Sequence, residues 1–181
     1  MLPTPEQLLA LRDKFQNGPV ERYSNEVVVP ERLLETLPQG GKLLSEQTIE
    51  EIDATLLQLS NGLQIIYKQT DLDKNNIVLS GFRRGGYYSL DSTQYLNGTY
   101  ATPIISISGY GDFTREALSQ YLAGSSAKAV LLADKTRTGF HASSNVSDKE
   151  ELFQLLYLKW TEPRIDTDLY QQVKSSSIRN M

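Results

Sequence analysis

Cysteine is absent from this chain of 181 residues, and histidine and tryptophan occur once each. Without thiols there are no disulfides, no thiolate metal sites and no thiol redox chemistry, although the compartment stays open, since oxidising compartments also hold cysteine-free proteins. The lone His141 would need carboxylates for every other ligand of a zinc site, an uncommon arrangement, and is read as a non-ligand. No excess of positive charge exists either. Eighteen basic against twenty-two acidic residues give a net charge of −4, and Lys and Arg form no stripe able to neutralise phosphates, which excludes nucleic acid as a partner. Long apolar runs are missing, because residues 129–133 (AVLLA) fall far short of the roughly 20 that a membrane helix needs. The opening MLPTPEQ lacks the basic start and apolar stretch of a signal peptide. The chain is therefore expected to be cytoplasmic or an internal piece of a longer protein.

What is present reads as one globular domain with additional connecting sequence, at 39% apolar and 22% charged residues. Proline and glycine punctuate residues 1–54. Thr4, Pro5 and Gln7 supply an N-cap, a first helical position and a capping-box partner. A helix from Pro5 to Phe15 follows, with Leu8, Leu11 and Phe15 on one stripe and Asn17-Gly18-Pro19 as its stop. Pro30 then cuts Val27-Val28-Val29, and Pro38 breaks the run Leu33-Leu34-Glu35-Thr36-Leu37. Ser45 and Thr48 can each cap a short turn, and residues 49–52 are too brief to fold alone. This stretch reads as an extended connector with helical pieces.

From Thr55 the pattern changes. Residues 57–60 and 63–68 flank Asn61-Gly62, which predicts a hairpin with a type I′ turn. A third strand is expected over 77–82, ended by Gly85 and Gly86. Asp91 predicts a helix cap and a helix from Ser92 to Thr102, stopped by Pro103. Asp112 or Thr114 starts the next helix, with Ala117, Leu118, Tyr121 and Leu122 on one face and Gly124 as a left-handed exit. Strands over 127–133 and 137–144 precede a capping box at residues 147–150 and a helix with Leu152, Phe153, Leu155, Leu156 and Trp160. Pro163 ends that helix, and Asp166 caps a further one through Leu169, Tyr170 and Val173. The order β-β-β, α-α, β-β, α-α is that of an α+β domain over 55–181, an antiparallel sheet with helices packed on one face, preceded by the connector at 1–54.

Several segments in this order resemble one family. LSNGLQIIYKQTDLDKNNIVLSGFRRGG is similar to the opening hairpin and Gly-rich strand end of the pitrilysin/insulinase zinc metallopeptidases. GYGDFTREALSQYLAG and GFHASSNVSDKEELFQLLYLKWTEPRID resemble that family's Leu-rich core helix and its exit. LPTPEQLLAL and ERLLETLPQGGKLLSEQ resemble the segment joining the two halves of long bacterial members. In the catalytic half of such peptidases, an H-x-x-E-H helix binds zinc and supplies the base. The resemblance places Tyr100-Ala101-Thr102-Pro103-Ile104 at those five positions, with no imidazole and no carboxylate. It implies a non-catalytic structural portion of a zinc peptidase, the inter-half connector plus the front of the third domain. Zinc and the catalytic half would belong to the same parent, a periplasmic or cell-envelope protein with a cytoplasmic one left open. Peptides would be substrates of the parent, and this chain would hold no catalytic, cofactor or metal residue. A domain of this family continues beyond Val173, so the chain is expected to be incomplete at its C-terminus and to self-associate through an exposed sheet edge. A free-standing module for extended peptides, or an inactive subunit of a split peptidase, are the alternatives.

Other candidate sites are weaker. Asp71, Asp73 and Asn75 occupy calcium-loop positions, but Asn76 stands for the required Gly and Phe82 for the closing Glu, so a turn explains them better. Arg83-Arg84-Gly85-Gly86 can form an anion nest or end a strand, and the strand end is preferred. G-x-S-x-G is absent. Glu50-Glu51 and Glu150-Glu151 read as solvated faces, and Tyr87 and Tyr88 as core-edge or interface residues.

Overall fold

The computed structural model describes residues 4–17 and 27–179. Its elements are α1 (Pro5–Asn17), β1 (Leu43–Ile49), β2 (Ala54–Leu59), β3 (Gln64–Tyr67), β4 (Asn76–Arg84), α2 (Tyr95–Ser108), α3 (Arg115–Tyr121), β5 (Lys128–Ala133), β6 (Arg137–Asn145), α4 (Lys149–Thr161) and α5 (Thr167–Arg179). The α+β class with antiparallel sheets is as the sequence implies. The strands form two three-stranded sheets, ordered β1-β2-β3 and β4-β6-β5, where one was expected. β4 does not extend the first hairpin. It pairs along its whole length with β6, from Asn76 opposite Asn145 to Arg84 opposite Arg137.

The helix starts follow their capping chemistry. Thr4 and Gln7 form the reciprocal capping box, their backbone N–H groups donating to each other's side-chain oxygens at 3.0 and 3.3 Å. The expected stop at Gly18-Pro19 lies outside the described residues. Thr114 caps α3 by accepting from the Ala117 N–H at 3.1 Å, and Asp166 caps α5 by accepting from Asp168 and Leu169.

Three turns differ from expectation. In the β2–β3 hairpin only Gly62 takes a positive φ, 85°. The Gly62 N–H donates to Leu59 O and Leu59 N–H to Leu63 O, which is a type I turn closed by a glycine bulge instead of type I′. Gly124 does not take a positive φ, because α3 tightens into a 3-10 turn over Leu122–Gly124. The capping box at 147–150 does not form. Asp148 instead accepts from the N–H and hydroxyl of Ser126 at 2.8 and 2.5 Å and from the Ser147 hydroxyl at 3.0 Å.

Those hydrogen bonds hold the Asp148 carboxyl below its ordinary pKa, the Ser126 hydroxyl contributing most. A carboxylate favoured in the fold stabilises above its unfolded pKa of 3.8, and that stabilisation is lost as pH falls through the depressed folded value. Asp148→Asn is accordingly expected to be less stable than the parent at neutral pH, with the difference closing in strong acid. Urea midpoints across the pH range check this, and a gap that persists or widens in acid would contradict it.

The core lies between the inner face of the second sheet and the helices. Leu152, Leu155 and Leu158 of α4 are almost fully buried, together with Phe113, Ala117, Leu118, Ala129 and Ala142. Phe153 and Trp160, expected on the same face, are 54% and 42% exposed, and Trp160 meets Phe140 edge-on. The segment expected as a connector is tied in at two places. Leu33 and Leu34 are buried in this core, with Val27 and Val29 packed against it. Residues 43–49, expected as a short capped turn, form β1 against β2, since Glu46 and Thr48 alternate with Gln47 and Ile49 on a strand that needs only a pairing partner.

Candidate functional site

The five positions that the resemblance places at the zinc motif, residues 100–104, lie on α2, a helix without a charged residue. Asp91 accepts from Thr93 and Gln94 and caps the turn leading into it, so the helix starts at Tyr95 instead of Ser92. It also passes through Pro103 to Ser108, where the sequence predicts a stop. Proline inside a helix removes a backbone donor and costs about 3 kcal/mol. Here packing offsets that cost, because Ile105 lies against the core and Ser108 is buried. Tyr100 is 48% exposed, Thr102 and Ile104 are half-buried, and Ala101 and Pro103 are exposed. Pro103→Ala is expected to raise stability by about 1–3 kcal/mol by restoring the helical donor. A urea midpoint at or below that of the parent would contradict this.

His141 stands in the centre of β6, away from α2, on the face of the second sheet turned from the helices. Its Nδ1 lies 2.8 Å from the Ser80 hydroxyl directly across the β4–β6 pair. Both are exposed, and no carboxylate completes a triad. The residues 71–76 form an exposed turn before β4, with Lys74 beside Asp71 at 3.6 Å and the Asn76 amide on Asp73. The backbone at the end of the Arg-Gly stretch is engaged with the β5–β6 turn, which leaves the Gly85 donor no part in an anion nest. Gly85 donates to Thr136 O, Tyr87 to Asp134 O and Tyr88 to Lys135 O, and a Cβ on Gly86 would lie 2.0 Å from Asp134 O. The Tyr87 hydroxyl donates to Ala133 O, and Tyr88 stacks on Tyr95 at 6.2 Å. Glu50, Glu51 and Glu150 are exposed. Among the described residues, no three His, Cys, Asp or Glu side chains come together as metal ligands would.

A feature missed in the sequence is the open face of the second sheet. Antiparallel sheets with one solvated face place polar residues there. This one presents Val78 at 74% exposure, Phe82 at 71%, Val130 at 57% and Leu132 at 42%. Period-two alternation in residues 76–84 and 128–133 was the available signal, but apolar residues occupy both phases, so the inner face cannot be told from the outer.

No protein-family model matches the sequence. A zinc protease PQQL-like protein of Arabidopsis thaliana is 28% identical over 95 residues, 52% of this chain and 10% of that one. The probable zinc protease PqqL of Escherichia coli is 23% identical over 180 residues, 97% of this chain and 19% of that protein. The crystal structure of the periplasmic protease PqqL from Escherichia coli matches with a TM-score of 0.75 at 21% identity, over 98% of this chain and 19% of that one. The chain is similar in sequence to proteins named as zinc proteases of the PqqL type and shares their fold. A second solved structure, a variant of the ferredoxin protease FusC in complex with Arabidopsis ferredoxin, shares the fold with a TM-score of 0.73 at 19% identity, over 97% of this chain and 20% of that one. The chain thus spans about a fifth of the length of these proteases. Zinc belongs to such proteases, but the side chains of α2 do not fit it: phenol, methyl, hydroxyl, pyrrolidine and sec-butyl groups stand at residues 100–104, and no ligand cluster replaces them among the described residues. No described helix is long and apolar enough to cross a membrane.

Proposed function

We propose that this chain is a non-catalytic structural portion of a zinc-dependent metallopeptidase, forming part of the wall of a peptide-holding chamber. The observation that carries this reading is the match of nearly the whole chain to a fifth of a zinc protease, combined with a helix that offers no zinc ligand at residues 100–104. Exposed apolar side chains on the two sheets, such as Leu44, Ile66, Val78 and Phe82, support it, since they give the chain surface to offer a partner. Its partner would be the catalytic half of the same parent, which would hold the zinc and the peptide substrate. The matching PqqL of Escherichia coli is a periplasmic protease, which favours a periplasmic parent. Residues 1–54 would act as hinge and tether, with Leu33 and Leu34 anchoring the segment in the core.

By itself the chain would pair through the outer edges of the first sheet, where Leu43, Leu44, Leu63 and Ile66 are more than half exposed. The test of the non-catalytic reading is hydrolysis of quenched fluorescent peptides by the purified chain with zinc added. No turnover is expected. Turnover that a chelator abolishes would overturn the reading. The open face of the second sheet favours a second reading, a free-standing module for extended peptides.

A further inference from the structure

We propose that the open face of the β4–β6–β5 sheet is a contact surface for an extended peptide that carries apolar side chains and ends in carboxylates. The face is ordered in rungs. Val78, Ser143 and Lys128 form one, Ser80, His141 and Val130 the next, and Phe82, Gly139 and Leu132 the third, with Arg84 opposite Arg137 beyond them. Four of the six outer positions are apolar, Ser80 and Lys128 being the exceptions, and the middle ones are small or polar. Gly139 carries no side chain between Phe82 and Leu132, and it has to be glycine, since a Cβ would sit 2.3 Å from Gly81 O. Successive same-face residues of an extended chain lie about 7 Å apart, the same repeat as Val78, Ser80 and Phe82, so a peptide laid along the strands meets one rung with every second residue.

Charge decides the chemistry of the occupant. Arg84 and Arg137 face each other at the last rung, where the Arg137 guanidinium lies 5.6 Å from the Phe82 ring, and Lys128 stands at the first. Asp134 reaches Arg137 at 3.7 Å, and among the described residues neither Arg84 nor Lys128 forms an ion pair. Two unpaired cations, the Arg84 guanidinium at one end of the strip and the Lys128 ammonium at the other, suit carboxylates, which Arg84 can hold in bidentate fashion, and repel ammonium groups. A strip with basic ends therefore selects acidic-ended over basic-ended peptides. The proposal rests on the chamber-wall reading only for what the peptide is, a substrate of the parent. The affinity of one isolated wall is weak.

The single histidine makes the test direct. His141 sits in the middle of the face, so its imidazole resonances in the full chain report contact there without assignment of other signals. The probes are a short synthetic peptide of alternating valine and threonine ending in glutamates, and its counterpart ending in lysines. The glutamate peptide is expected to shift the His141 signals saturably, with about tenfold tighter binding than the lysine peptide at low salt, equivalent to about 1.4 kcal/mol. Phe82→Ser combined with Val130→Thr, at positions exposed enough to leave the fold intact by circular dichroism, should weaken binding about tenfold. Equal response to both peptides, no response at His141, or undiminished binding by the double variant would overturn the proposal. So would a His141 shift on diluting the chain without peptide, which would place a second copy on this face. Peptide turnover and zinc content are read separately, so a silent His141 in a zinc-free, inactive chain sinks this inference and leaves the wall reading standing.

Discussion

Gly109→Ala is expected to destabilise the chain by about 4 kcal/mol or more, among the largest effects available to a single methyl group. Gly109 follows the last turn of α2 with φ 103° and ψ −165°, a region that only glycine occupies without strain. A Cβ there would also stand 2.1 Å from Phe113 O, a backbone atom that cannot step aside. The position is a crossing point. The Gly109 N–H closes α2 onto Ile105 O, its carbonyl accepts from Arg164, and the next residue, Tyr110, bridges to both Phe113 and Pro163. The exit of α2, the entry to α3 and the exit of α4 thus meet within a few residues. The urea midpoint should fall with the slope unchanged, whereas an unchanged midpoint would show that this crossing is not as described.

Leu155→Ala should cost about 3 kcal/mol, while Phe153→Ala two residues away should stay within about 0.5 kcal/mol. Leu155 is 1% exposed and Phe153 54%. The buried side chain leaves a cavity between α4 and the inner sheet face, and the exposed one leaves water where water already was. The paired measurement fixes which side of α4 faces the sheet. Equal losses would mean that the helix is rotated from this orientation.

α4 also shows how far the sequence could be read. Its existence and its end before Pro163 follow from a Leu-rich stretch and a helix breaker, although the expected capping box does not form. Its facing does not, because Leu, Phe and Trp occur all round the helix. Two other elements are not legible locally. β1 carries Ser, Glu and Gln at its centre, poor strand formers taken alone, and becomes a strand through pairing with β2, a contact that local pattern cannot show. α2 holds a glycine and a proline that argue for a stop, yet it continues because Ile105 packs against the core and Ser108 is buried. Leu33 and Leu34 sit between prolines and read as linker, and only the folded core reveals their destination. At the candidate site, the absence of zinc ligands on residues 100–104 is plain in the sequence. The cross-strand partnership of Ser80 with His141 and the open face around it required the β4–β6 register.

Central to the proposed role is α2, occupying the place of a zinc-binding helix without its ligands. Bound zinc per chain, measured by elemental analysis after equilibration with modest zinc and removal of the loosely held fraction, tests that most directly. The expected result is close to zero, and unchanged in His141→Ala. One zinc per chain, lost in His141→Ala, would contradict this role and make the open sheet face, not α2, the metal site.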